Sequence, residues 1–169
     1  MKQIRKGIFE TNSSSTHCIT VKKQIDNANL CNNVVFKGSD YGCGVDTLNT
    51  TEEKASYLYS ALLSYYEGRE NELSDYKNYI YNTLAKNGID CSFVPDGIYD
   101  WMNFYVDHCE CLADFLEYIR SHEKHLMYYL FGDGVVITGN DNDDSCAEVS
   151  SAYKEFGDKN GWIAFYKAN

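Results

Sequence analysis

The residues best equipped for chemistry lie together near the amino terminus, in Arg5-Lys6-Gly7-Ile8-Phe9-Glu10-Thr11-Asn12-Ser13-Ser14-Ser15-Thr16-His17. This stretch gathers a guanidinium, an ammonium, a carboxylate, a carboxamide, a run of hydroxyls and an imidazole. Consecutive Asn, Ser and Thr residues bend the backbone through side-chain hydrogen bonds and turn several N–H groups toward one point, a concavity that suits phosphate. Arg5 adds a planar fork that bonds such an anion twice. The pattern nominates Lys6, Asn12, Ser13, Ser14 and Ser15 as phosphate ligands and His17, Glu10 and Arg5 as catalytic residues. With RNA as the ligand, His17 would take the proton of a 2′-hydroxyl. Arg5 or Lys6 would stabilise the phosphorane, and Glu10 would orient the reaction or carry the second proton. That chemistry calls for no metal or other cofactor. A plainer alternative is a Ser/Thr-rich hairpin loop with Glu10 and His17 paired across it.

The segment RKGIFETNSSSTH resembles one that recurs at the start of small uncharacterised proteins from phages and mobile elements of Gram-positive bacteria. It is also similar to plasmid- and phage-borne anti-CRISPR proteins that act on Cas9. The resemblance runs from Met1 to about Thr20 and no further. It implies an inhibitor of host defence whose partner is an effector such as Cas9 or its guide RNA, with damage to the guide as one mode of action. Carried over by position, it nominates Arg5, Glu10, Asn12, Ser13, Ser14, Ser15 and His17, without assigning a role to each.

The charge distribution sets this segment apart from the rest. Residues 1–23 carry Lys2, Arg5, Lys6, Lys22 and Lys23 against Glu10 alone, while the remainder holds 24 of the 25 acidic residues and gives the chain its net charge of −10. A basic edge on an acidic body suits contact with an anion at one end. It also permits a different function, in which carboxylates and tyrosines imitate a nucleic-acid backbone and block a basic channel without catalysis. A third class is a nucleotide- or phosphate-binding protein unrelated to defence. A homodimer is compatible with the sequence.

Other clusters are weaker. His108-Cys109-Glu110-Cys111, with His122 and His125, contains zinc-ligand types at a spacing that fits zinc poorly, so no metal site is expected. Asn140-Asp141-Asn142-Asp143-Asp144 lacks the glycine and terminal glutamate of a calcium loop and reads as an acidic turn. Gly42-Cys43-Gly44 and Gly132-Asp133-Gly134 are too short for a nucleotide fingerprint.

The elements that position the amino-terminal residues follow from hydrophobic periodicity. Gln3–Phe9 and Cys18–Lys23 read as strands around a polar loop, Glu10–Thr16, so that residues 1–23 form a basic hairpin. Val34–Phe36 is a short strand. Thr50 and Glu53 form a capping box for a helix carrying Leu58, Ala61, Leu62 and Tyr65 and stopped by Gly68. A second helix from about Glu72 places Leu73, Tyr76, Ile80 and Leu84 on one face and ends at Asn87-Gly88, giving an antiparallel helical pair. Ile89–Val94 reads as a strand before a Pro95-Asp96-Gly97 turn, and Cys111–His122 as a third helix. His125–Phe131 fits helix and strand equally. Gly134–Thr138 and Trp162–Tyr166 read as strands around a short helix at Ser151–Phe156.

The expected fold is α+β: one domain over residues 1–169, a small, mostly antiparallel sheet against about three helices, with an acidic helical body at 50–131 and closing strands at 134–169. Seven cysteines, an odd number, and a start without an apolar run argue for a reducing, cytoplasmic setting. No stretch reaches the roughly 20 apolar residues of a membrane span.

Overall fold

The computed structural model describes residues 15–42, 45–94, 106, 112–140 and 145–167. Among the described residues six strands and five α-helices alternate irregularly: β1 (Ser15–Lys22), β2 (Asn33–Lys37), β3 (Asp46–Leu48), α1 (Thr51–Tyr65), α2 (Glu70–Lys86), β4 (Asp90–Val94), α3 (Leu112–Ser121), α4 (Glu123–Phe131), β5 (Val136–Asn140), α5 (Ser145–Gly157) and β6 (Trp162–Lys167). The α+β expectation holds. The main sheet has the order β3-β5-β1-β6 with every pairing antiparallel, and β2 and β4 form a separate parallel pair.

β1 is an inner strand buried on both faces. Ile19 and Val21 enter the large core with α1, α3 and α4, whereas Cys18 on the opposite face packs with Val149 and Ala152 of α5. Successive side chains of a strand point to opposite faces, so Ser15 and His17 share the face of Ile19 and Val21.

The α1 capping box forms as the sequence predicts. Thr50 Oγ1 accepts from the Glu53 N–H at 3.2 Å, while Glu53 Oε2 accepts from the N–H groups of Thr50 and Asn49, each at 3.0 Å. Those two donors hold the Glu53 carboxyl below the usual carboxylate range.

Several boundaries differ from expectation. Ser15 and Thr16 belong to β1 rather than to the preceding loop, because Ser15 and Thr16 pair with Asn140 and Gly139 of β5. His125–Phe131 is helical, and the short helix expected near Ser151 extends over all of α5. The antiparallel α1–α2 pair is not seen. The two helices lie, after β3, in the connection between parallel strands β2 and β4, and α1 covers β2 while α2 packs on β4 and α4. The strand expected at Gln3–Phe9 and the Pro95-Asp96-Gly97 turn lie outside the described residues.

Gly132-Asp133-Gly134 turns α4 into β5 under tight backbone approach. A Cβ on Gly132 would stand 2.4 Å from the Tyr128 carbonyl oxygen, and one on Gly134 would stand 2.1 Å from that of Thr20. These glycines serve close packing against β1.

Candidate functional site

The polar centre of the molecule is at the amino-terminal end of β1. Register places Asp46 of β3 opposite Thr138 of β5, and Thr138 opposite His17, so carboxylate, hydroxyl and imidazole residues form one row on the core-facing side of the sheet. The next row along the same face is Leu48, Val136, Ile19 and Phe165. The sheet face therefore changes from apolar to polar within one pair of residues.

His17 is 1% exposed, yet both ring nitrogens are engaged. Nε2 lies 3.0 Å from Ser15 Oγ and Nδ1 lies 3.2 Å from the Tyr57 hydroxyl of α1. In a neutral imidazole one nitrogen donates and the other accepts, so two tautomers satisfy the chain of three groups. If Tyr57 donates to Nδ1, Nε2–H donates to Ser15. If Nδ1–H donates to Tyr57, Nε2 accepts the Ser15 proton and raises the nucleophilicity of that oxygen. This is the arrangement of a nucleophile, a base and a group that orients the base. It also suits His17 as a base toward an incoming hydroxyl.

A tyrosine layer supports Tyr57. Its ring contacts Tyr41 at 5.3 Å and Phe115 at 6.5 Å between centroids. Tyr41 donates to Ser56 Oγ at 2.9 Å, and Ser56 donates to the Lys37 carbonyl. Burial pushes the Tyr41 hydroxyl above its usual range, with the Asp46 and Glu53 carboxylates adding to the effect and hydrogen bonds from Ser56 and Ser39 opposing it.

A buried ammonium stands one turn before Tyr57. Lys54 is 1% exposed and donates from Nζ to the Gly132 carbonyl at 2.7 Å, at the carboxyl end of α4, where the helix dipole favours a positive group. Desolvation pushes its pKa down to about 8, against the attraction of Asp133. Asp133 itself pairs with Lys22.

Of the residues nominated from sequence, Ser15 and His17 meet in this centre, while Arg5, Lys6, Glu10, Asn12, Ser13 and Ser14 lie outside the described residues. No protein-family model, no curated protein and no solved structure matches the chain. Sequence reasoning missed Tyr57, Tyr41 and Thr138. Tyr57 shares the buried face of α1 with Leu58 and Ala61, and a hydroxyl beside these apolar residues is the signal that could have revealed it.

The other motifs resolve into structural roles where they are described. His122 caps α4, its Nδ1 accepting from the Lys124 N–H at 3.1 Å. His125 stacks on Tyr118 at 4.0 Å between centroids. No group of potential metal ligands occurs among the described residues, while His108–Cys111 and Asp141–Asp144 lie outside them. No helix among the described residues is long and apolar enough to cross a membrane.

Proposed function

We propose that this chain is a phage- or mobile-element-encoded inhibitor of host defence, of the anti-CRISPR type. In this reading it engages a phosphate-containing ligand at the amino-terminal end of β1 and cleaves guide RNA there without a metal. The observation that carries the proposal is the Ser15–His17–Tyr57 chain: an imidazole held at both nitrogens by hydroxyls, directly following the hydroxyl-rich segment and the basic residues of the amino terminus. The resemblance of RKGIFETNSSSTH to anti-CRISPR proteins supplies the biological setting.

In the cleavage step His17 accepts the 2′-hydroxyl proton as the 2′-oxygen bonds to phosphorus. Glu10, as the acid, protonates the departing 5′-oxygen, and Arg5 and Lys6 offset the charge of the phosphorane. Tyr57 positions the imidazole through Nδ1. The burial of His17 imposes a condition: this end of the core must open when the ligand arrives, so binding is coupled to exposure of the ring.

The purified protein, incubated with a guide-loaded Cas9 complex and separately with free guide, tests the reading by DNA cleavage and RNA integrity. Loss of both DNA cutting and intact guide is expected, with His17→Ala and Glu10→Ala retaining the fold while sparing the RNA. Inhibition with intact guide would instead favour the acidic mimic, and unimpaired Cas9 would remove the defence reading.

A further inference from the structure

A cleft of about 370 Å³ opens where the end of α1 meets α2 and α3, remote in sequence from the amino-terminal segment, and its walls are Tyr65, Tyr66, Tyr76, Leu116, Glu117 and Arg120. The volume falls within the range of small-ligand sites. Tyr66 and Tyr76 lie 6.0 Å apart between ring centroids, and Tyr65 meets Tyr66 edge-on at 5.0 Å. Tyr76 is anchored by donation to the Leu116 carbonyl at 2.7 Å, so its ring is a fixed wall.

The cations here are unusual for this chain. Only three of its 15 basic residues are arginines, and two of them flank these rings. Arg69 stacks over Tyr65 and Tyr66 at 4.9 Å each, and Arg120 lies 5.6 Å from the Tyr76 ring. Arg69 is also engaged with Glu72 and the Tyr65 carbonyl. Arg120 is exposed on the last turn of α3 and forms no ion pair among the described residues. A lysine would complement the helix dipole there equally well. The guanidinium adds a planar surface against an aromatic ring and a fork that fits phosphate.

We propose that this cleft is a nucleotide site, the tyrosine walls receiving the base and Arg120 receiving the phosphate. Glu117, one turn before Arg120, faces the same space and accepts hydrogen bonds from a base amino group or a ribose hydroxyl. Two sources supply this chemistry, a free nucleoside monophosphate and a single unpaired nucleotide of an RNA strand. The site does not depend on the function proposed for the amino terminus, and it holds in a His17→Ala protein.

Calorimetric titration of the full chain with nucleoside monophosphates, the matching nucleosides, inorganic phosphate and a short single-stranded oligonucleotide tests the site. Monophosphates are expected to bind at least about tenfold more tightly than nucleosides or phosphate, with affinity falling as salt rises. Arg120→Gln should reduce monophosphate affinity to that of the nucleoside. Tyr65→Leu should weaken nucleoside and monophosphate together, and unchanged thermal midpoints would establish that both variants fold. An oligonucleotide that binds more tightly than the monophosphate and loses that advantage in Arg120→Gln identifies RNA as the source, and one that binds no better, or keeps its advantage in Arg120→Gln, identifies the free nucleotide. Equal binding of phosphate and monophosphate, no saturation at millimolar nucleotide, or full affinity in Arg120→Gln overturns the proposal.

Discussion

Two polar side chains are buried in the same core, Lys54 from α1 and His17 from β1, and they are held in different ways. Lys54 is anchored to backbone, through the Gly132 carbonyl that ends α4, while His17 is held from α1 and β1 by side-chain hydroxyls of Tyr57 and Ser15. A backbone partner cannot move without moving the turn that bears it. A hydroxyl rotates, changes from acceptor to donor and lets a proton pass. The contrast separates a polar group that fixes architecture from one suited to reaction.

The severest way to break the shared frame is Gly134→Ala. Its Cβ would meet the Thr20 carbonyl and force β5 away from β1, and a loss above about 4 kcal/mol is expected, read as failure to fold in urea titration. Lys54→Ala attacks one side of the comparison. It removes a buried stem and leaves the Gly132 carbonyl without that donor, so destabilisation of about 3 kcal/mol is expected, with the proposed guide cleavage unchanged per folded molecule.

The pH dependence sharpens the same side. Because the folded pKa of Lys54 is near 8 against an ordinary 10.5, the unfolded chain binds more protons between these values. Stability from this group is complete above about 10.5 and is lost as pH falls through 8, a span worth up to about 3 kcal/mol. Tyr118 acts oppositely, since burial pushes it up to about 12 from 10.0; its contribution is present below pH 10 and lost as pH rises toward 12. Denaturant midpoints across this range should rise and then fall, and the rise should be absent in Lys54→Met.

Tyr57→Phe probes the reactive side. It deletes one hydrogen bond to His17 for about 1 kcal/mol of stability, but under the proposed function guide cleavage should fall well beyond the loss of folded protein. Activity that merely tracks the folded fraction would return His17 to the structural class of Lys54. The smallest effect is expected from Thr50→Ala, about 1 kcal/mol from the cap of α1, the helix that carries Lys54 and Tyr57, with no change in pH profile.

Local signals explain what was legible in the sequence. The Thr50–Glu53 box, the apolar stripe Tyr76–Ile80–Leu84 and the short strand Val34–Phe36 each carry their own evidence within a few residues. The α1–α2 pairing was not legible, because the parallel register of β2 and β4 decides it and neither helix records that register. His17 was recognisable as a candidate by type. Its surroundings were not, since Tyr57 lies 40 positions onward and Thr138 joins only through sheet pairing.

The central place of β1 has a consequence for biosynthesis. The strand is synthesised well before its sheet neighbours β5 and β6, which follow all the helices α1 to α4 in the chain. Until then its apolar residues lack their sheet partners, and the imidazole cannot occupy its final row. Such long-range pairing favours slow, late assembly, so the surroundings of His17 should be complete only once β5 and β6 have been made.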